Sequence, residues 1–297
     1  MKPSSFGYSR PESVADALAA LAAAGPEAKV LAGGQSLVPL LNMRLAAPSH
    51  LVDINRLAEL RYISVADGQV RIGALARHAD VLADPAVAAA QPLISDAIAL
   101  VAHPVIRNRG TTVGSIVHAD PAGEMTAVLA LLGGSVRLRS SGGERSVAAA
   151  DFFLGPLESD MRPGELATEA AFPVLGARAG TAFAEVSRRS GDYAICGVAA
   201  VVHLDSEGGI GAARAAYLSV AGKPLVLDLS EACAGTAAGP DSGDAAFAQA
   251  GRLAAARVSP ASDIHATADY RRHLAGVLTR RALAGALAHA RGRVRDS

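Results

Sequence analysis

The chain has 297 residues, 51% of them apolar, with 28 basic and 28 acidic side chains and a formal net charge of zero. This balance argues against a nucleic-acid binder and leaves close association with other subunits open. The two cysteines, Cys196 and Cys233, form no C-x-x-C and no Cys/His pattern, so they read as buried free thiols and not as ligands of an iron–sulfur cluster or a zinc ion. The opening MKPSSFGYSRPES has no apolar signal core. No run approaches the roughly 18 uncharged apolar residues of a membrane span, so no transmembrane segment is expected and the cytoplasm is the default location.

In chain order, Pro11–Ala24 reads as an amphipathic helix, with Val14, Ala17, Leu18 and Leu21 on one face and Gly25 in the place of a C′ glycine. Strands are expected at Lys29–Ala32 and Leu51–Ile54, flanking a short helix at Leu37–Leu45. This first β-α-β-like unit closes near Asn55. A second unit starts with strands at Arg61–Ser64 and Gln69–Gly73, joined by the Ala66-Asp67-Gly68 turn. Helices follow at His78–Leu82 and Leu93–Ala102, then a basic, glycine-punctuated loop at Arg107–Ser115. Asp120 reads as the N-cap and Pro121 as the first residue of a helix reaching Leu132, with Met125, Val128, Leu129 and Leu132 as its buried stripe. Ser135–Arg139 and Glu144–Ala148 read as a hairpin about Ser141-Gly142-Gly143, and a short strand runs from the Pro163-Gly164 turn to Pro173. After a boundary near Leu175–Gly180, a third unit carries strands at Ala182–Arg188, Val198–Leu204 and Ala213–Val220. It ends in helices at Ala245–Ala256 and Tyr270–His289, after a Gly/Ala/Ser-rich surface loop at Cys233–Asp244. The C-terminal arginines, Arg271, Arg272, Arg280, Arg281, Arg291, Arg293 and Arg295, read as a solvated helix face and a frayed tail, with subunit contact as an alternative.

Two loops carry the chemistry. In Val30-Leu31-Ala32-Gly33-Gly34-Gln35-Ser36-Leu37 a short strand runs into two glycines and two small polar residues, a shape that lets backbone N–H groups close on a phosphate. It is neither G-x-G-x-x-G nor a P-loop, and plain turn chemistry is its local alternative. The second loop is Gly110–Ser115, with Arg107 and Arg109 just before it. A dinucleotide could be gripped between the two. Asp120 reads either as a cap or as a ligand contact, Glu124 as a partner for ribose hydroxyls, and Tyr193 either as a core residue or as an aromatic cover for a planar ligand. His118 and Asp120 have the spacing of a metal pair, but no third ligand is near and no metal is expected. The acid–base set is thin, with no G-x-S-x-G and no H-E-x-x-H, which favours a cofactor-centred redox site over hydrolysis.

The strings AGGQSLVPLLNMRLAAPSHLVDINRL, IRNRGTTVGSIVHADPAGE, FFLGP…RPGELATEAAFP, EVSRRSGDYAICGVAAVV and DIHATADYRRHLAGVLTRRAL, in that order, resemble the flavin-binding medium subunit of molybdenum hydroxylases, of the xanthine dehydrogenase and aerobic carbon monoxide dehydrogenase type. The resemblance covers nearly the whole chain. It implies an α+β fold: a two-subdomain FAD-binding domain of the vanillyl-alcohol-oxidase (PCMH) type, followed by a smaller C-terminal α+β domain. The subdomains would span 1–55 and 56–176, the C-terminal domain 177–290, and a basic tail 291–297.

The resemblance also implies non-covalent FAD on this chain, with molybdopterin on a large partner subunit and [2Fe–2S] clusters on a small one, in a dimer of heterotrimers. Electrons would pass to an acceptor such as NAD, a quinone, a cytochrome or oxygen. It assigns the FAD pyrophosphate to Val30, Leu31, Ala32, Gly33, Gly34, Gln35, Ser36 and Leu37, and to a second loop of Thr111, Thr112, Val113, Gly114 and Ser115. Val113 stands where glycine is usual, which leaves an ordinary extended backbone or a weakened FAD site as the options. Glu124 matches an acidic FAD contact, Val101 an apolar one, and Leu166 lies near another; Asp120 and Tyr193 complete the set, with Tyr193 beside the isoalloxazine. Glu185 falls where lysine is frequent. No covalent flavin anchor is expected, His103 and His118 being candidates by chemistry alone. Two alternatives stay open: a self-sufficient flavin oxidoreductase of the same fold, and an assembly subunit without FAD.

Overall fold

The computed structural model describes residues 2–234 and 243–295. The chain folds as two compact units, each assembled from separate stretches: Met1–Pro85, His103–Ala119 and Gly133–Pro173 in the first, and Ala86–Ala102, Asp120–Leu132 and Val174–Ser297 in the second.

The first unit holds two main sheets. The smaller is parallel, ordered Gly7–Ser9, His50–Asp53, Ala28–Leu31, with Leu31 opposite Asp53 at the end where the glycine loop departs. The crossover helix Val14–Ala24 starts where Ser13 accepts the Asp16 amide at 3.1 Å and ends at Gly25, whose φ of 81° only glycine adopts readily. It buries Val14, Ala17, Leu18 and Leu21, the face expected from spacing. The larger sheet is antiparallel, ordered Ile63–Ala66, Gln69–Gly73, Leu166–Pro173, Ser135–Ser140, Gly143–Ala148. Asp67 and Gly68 close its first hairpin with φ of 52° and 70°, the paired left-handed turn that matches strand twist. The helix Thr112–His118 packs on this sheet through the buried Val113 and Ile116.

The second unit is one antiparallel sheet, ordered Ala179–Ser187, Ala194–Leu204, Ile210–Leu218, Leu225–Asp228, covered by helices. Val198, Ala200 and Val202 pack in one cluster with residues of the helices Asp244–Arg257 and Ala268–Arg295. The alternate residues Ala199 and Val201 are buried too, and the helices Pro92–Leu100 and Glu124–Leu132 also touch this sheet. Burial on both faces explains why the central strand reads as an unbroken apolar run. At Gly180 the last helix comes so close that a β-carbon would stand 2.7 Å from Ala290 Cα.

Several expectations are corrected. The basic loop Arg107–Ser115 is largely helical: Pro104–Arg107 and Thr112–His118 are helices, joined by a turn at Asn108–Thr111. Asp120 caps no helix. Its carboxylate accepts the Ala122 amide at 2.8 Å in a tight turn, Gly123 donates back to the Asp120 carbonyl, and the helix starts at Glu124. That shift buries Leu131 in place of Leu132. The last helix reaches Arg295, so Arg291, Arg293 and Arg295 belong to it and not to a tail. Arg271 lies off the solvated face: it is buried and donates to the carbonyls of Ile195 and Ser219 and to Asp263. The strands Gly7–Ser9 and Leu225–Asp228 and the helix Pro85–Ala90 were not read from sequence. Of the loop expected at Cys233–Asp244, residues 235–242 lie outside the described residues.

Candidate functional site

In the first unit the strand Ala28–Leu31 delivers the chain to Ala32, Gly33 and Gly34, and a turn at Gln35–Ser36 leads into the helix Leu37–Asn42. Gly34 has a φ of 75°, which turns its peptide against its neighbours. Among the described residues the backbone N–H groups of Gly33, Gly34, Gln35 and Ser36 donate to no protein acceptor. Successive free N–H groups in a glycine turn form a concave donor set that suits an anion. Gly33 lies against the second segment: a β-carbon there would be 2.8 Å from Gly110 Cα and closer still to the Arg109 carbonyl oxygen. The two glycine loops therefore touch. Beside them is a cavity of about 340 Å³ lined by Leu31, Ala32, Gly33, Gly34, Gln35, Val38, Asp53, Asn55 and Arg109. Val30, Ser36 and Leu37 adjoin it without lining it.

The second loop begins a helix. Thr111 is its N-cap, with Oγ1 accepting the Gly114 amide at 3.1 Å; Gly114 lets the threonine approach, since a β-carbon there would be 2.5 Å from Oγ1. Val113 lies in the first turn, outside the left-handed region, with its side chain in the core. The backbone there is helical and not extended, and its φ lies in the range that any L-residue adopts. Thr112 is buried, its Oγ1 3.2 Å from His78 Nδ1. Burial, helped by the Arg107 charge, pushes His78 down to about 4, so its ring is neutral at pH 7. Thr112 and Val113 are thus both buried, main chain included. Leu166 is buried in the larger sheet.

The family model for the FAD binding domain in molybdopterin dehydrogenase matches residues 4–175, and that for the CO dehydrogenase flavoprotein C-terminal domain matches residues 181–286. The alpha subunit of the 6-hydroxypseudooxynicotine dehydrogenase complex of Paenarthrobacter nicotinovorans is 41% identical, over 98% of this chain and 97% of the relative. The carbon monoxide dehydrogenase medium chain of Afipia carboxidovorans is 38% identical, over 98% of this chain and 100% of the relative. A solved structure of carbon monoxide dehydrogenase from Hydrogenophaga pseudoflava superposes with a TM-score of 0.91 at 37% identity, covering 97% of this chain and 99% of that one. This chain belongs to the FAD-binding flavoprotein family of the molybdopterin dehydrogenases.

Membership bears out the expected α+β fold, the FAD cofactor and the oxidoreductase class. The cradle fits FAD by its own chemistry. Four unclaimed N–H donors, a glycine with no room for a side chain, and the cationic Arg109 suit a dinucleotide's pyrophosphate.

The second unit of the flavoprotein holds the remaining predicted residues. Val101 follows the helix Pro92–Leu100 as its C-cap. Glu124 is buried; loss of water, reinforced by Glu185 and Asp120, pushes its carboxyl up to about 8. Burial also pushes Glu185 up to about 7. These acidic groups thus share one electrostatic neighbourhood. Tyr193 is 67% exposed, which removes the core alternative for its ring. Ser219, missed from sequence, braces this region: at a φ of 62° its amide donates to Pro121 O at 2.8 Å and its hydroxyl to Ala194 O at 2.6 Å. No apolar pattern marks such a residue. Also missed in the first unit are Asn55, Arg77 and Tyr8. The Tyr8 hydroxyl donates to Asp53 at 2.6 Å, and Arg77 reaches Asn55 and the Arg109 carbonyl. A polar residue just past a strand, as at Asn55, is the one signal that sequence offered.

Proposed function

We propose that this chain is the electron-transfer subunit of a molybdenum hydroxylase complex, holding FAD non-covalently between a [2Fe–2S] partner subunit and an external acceptor. A large partner subunit would carry the molybdopterin. The observation that carries this reading is the set of free N–H groups at Gly33–Ser36, seated on the Arg109–Gly110 turn. FAD, when bound, supplies a redox centre that accepts and releases electrons. The chain's own work is positioning. Main-chain donors of Gly33, Gly34, Gln35 and Ser36 hold the pyrophosphate oxygens, and Arg109 offsets their charge. The Thr111–Ser115 main chain is the second contact of the assignment. Burial raises the Glu124 carboxyl well above its ordinary range, which favours its protonated form toward neutral pH and lowers the charge it would set against FAD. Asp120, Val101, Leu166 and Tyr193 keep the roles that the resemblance gave them.

The test is to purify the chain with whatever subunits accompany it. The expected preparation shows a bound-flavin spectrum, releases its yellow colour to the supernatant on acid precipitation, and contains molybdenum and iron. A colourless complex, or a flavoprotein purified without molybdenum and iron that turns over a small substrate unaided, overturns the proposal.

A further inference from the structure

Arg77 stands just before the helix His78–Ala83, half-buried, and its guanidinium spans two chain segments. Nη1 donates to the Arg109 carbonyl at 2.9 Å, and Nη2 donates to Asn55 Oδ1 at 2.7 Å. Asn55 passes the connection on: its Nδ2 donates to the Ala32 carbonyl at 2.8 Å and to Asp53 Oδ1 at 2.6 Å. Asp53 is held in turn by the Asn55 amide and the Tyr8 hydroxyl. A continuous hydrogen-bonded path thus joins the Arg109 and Ala32 carbonyls, one on each side of the Gly33–Gly110 contact.

The consequence follows from peptide planarity. In a trans peptide the C=O and the next N–H point in opposite directions within one plane. Fixing the Ala32 carbonyl toward Asn55 therefore turns the Gly33 N–H away from it. Gly33 N–H is the first of the four unclaimed donors. Arg77 holds both Asn55 and the opposing Arg109 carbonyl, so one side chain fixes the direction of that donor and the spacing of the two loops. Lysine cannot do this, because it lacks a planar fork that reaches two acceptors at once.

We propose that Arg77, acting through Asn55, is a positioning residue that pre-organises the FAD cradle. Both terminal nitrogens are engaged by protein acceptors, so it acts on a bound pyrophosphate through loop geometry. The inference rests on the reading of Gly33–Ser36 as the pyrophosphate cradle.

The experiment uses the full chain with its co-purifying subunits, freed of flavin and titrated with FAD, with flavin fluorescence as the readout and ADP as a competing pyrophosphate probe. Arg77→Gln is expected to weaken FAD and ADP about tenfold or more, and Asn55→Ala to do the same. The double variant is expected to be little weaker than either single one, since both break one path. Arg77→Lys should recover only part of the loss. Wild-type affinity in Arg77→Gln or full recovery in Arg77→Lys overturns the inference. Gly33→Val separates the two levels. If it binds FAD normally, the cradle reading itself falls; if it loses FAD while Arg77→Gln keeps it, only the role of Arg77 falls. Should Arg77→Gln fail to fold, Arg77→Lys and Asn55→Ala carry the same test.

Discussion

Replacing Gly33 by alanine tests the cradle with the smallest change available. The new β-carbon would lie 2.8 Å from Gly110 Cα, and nearer still to the Arg109 carbonyl oxygen. Comfortable carbon–carbon contact is about 3.5–4.0 Å, so the two loops must part by roughly 1 Å. Both neighbours are main chain, and neither can swing aside as a side-chain tip would. Overpacking of this kind costs about 1–3 kcal/mol. Gly33 is not in the left-handed region, so the whole effect is steric. If the parted loops misdirect the free N–H groups, that cost falls on FAD binding, as a weakening of about 5- to 150-fold. The assay is titration of the flavin-free protein with FAD, alongside thermal unfolding of the same sample. Gly25→Ala is the control: at a φ of 81°, with nothing within 4 Å, it strains the end of a helix without touching the cradle. It should lower stability by about 1–3 kcal/mol and leave FAD affinity alone. Wild-type affinity in Gly33→Ala, or an equal loss in Gly25→Ala, would refute the reasoning.

Three further outcomes follow from the buried polar groups. Glu124 titrates near 8 in the folded chain and near 4.5 when unfolded, so its contribution is present below about pH 4.5 and is lost as pH rises through 8. Glu124→Gln should therefore flatten the fall of melting temperature between pH 5 and 9, by an amount bounded at about 5 kcal/mol, with Glu185 leaving a residual slope. His78 has the opposite sense: its stability contribution is present above about pH 6.5 and is lost as pH falls toward 4. Its ring proton resonances should stay at their neutral positions at about pH 5.5, where an exposed histidine is charged; a charged ring there removes the buried Thr112–His78 pair from the account of the second loop. Arg271→Gln should cost about 2–4 kcal/mol in thermal or denaturant unfolding, because it strips donors from the Ile195 and Ser219 carbonyls; a loss under about 0.5 kcal/mol would show that these carbonyls find other partners.

What could be read from the sequence was local. The helix Val14–Ala24, the Asp67-Gly68 hairpin and the glycine loop announce themselves through spacing, caps and turn residues within a few positions of one another. Two misreadings came from signals that compete at close range. Asp120-Pro121 has the form of a helix start, yet Gly123 lets the chain make one more tight turn before Glu124. Thr111-Thr112-Val113-Gly114 looks like a loop because β-branched residues and glycine are poor helix formers, but Thr111 caps the segment and the larger sheet buries Val113 and Ile116. Arg77 was not legible at all. Its partners lie 22 residues before it and 32 after it, and no periodicity links such positions.

The helical start at Thr112 also changes how the valine at 113 should be weighed. A glycine is required where φ is positive or where backbone must pass within contact of another group, and residue 113 meets neither condition. At Gly33 the second condition holds, and at Gly34 the first. The main-chain demands of the cradle are thus concentrated in the first loop, whose four N–H groups have no internal partner, while the second loop spends the Gly114 and Ser115 amides on its own cap and first turn. If Gly33–Ser36 holds the pyrophosphate as proposed, a departure from glycine in the second loop is expected to leave the site working, whereas the same departure at Gly33 is expected to impair it. Val113→Gly should accordingly leave FAD affinity within about twofold of wild type while lowering stability by about 1–3 kcal/mol through the lost core packing and the helical glycine. A gain in affinity of tenfold or more on that substitution would show that Val113 does hold the cradle open.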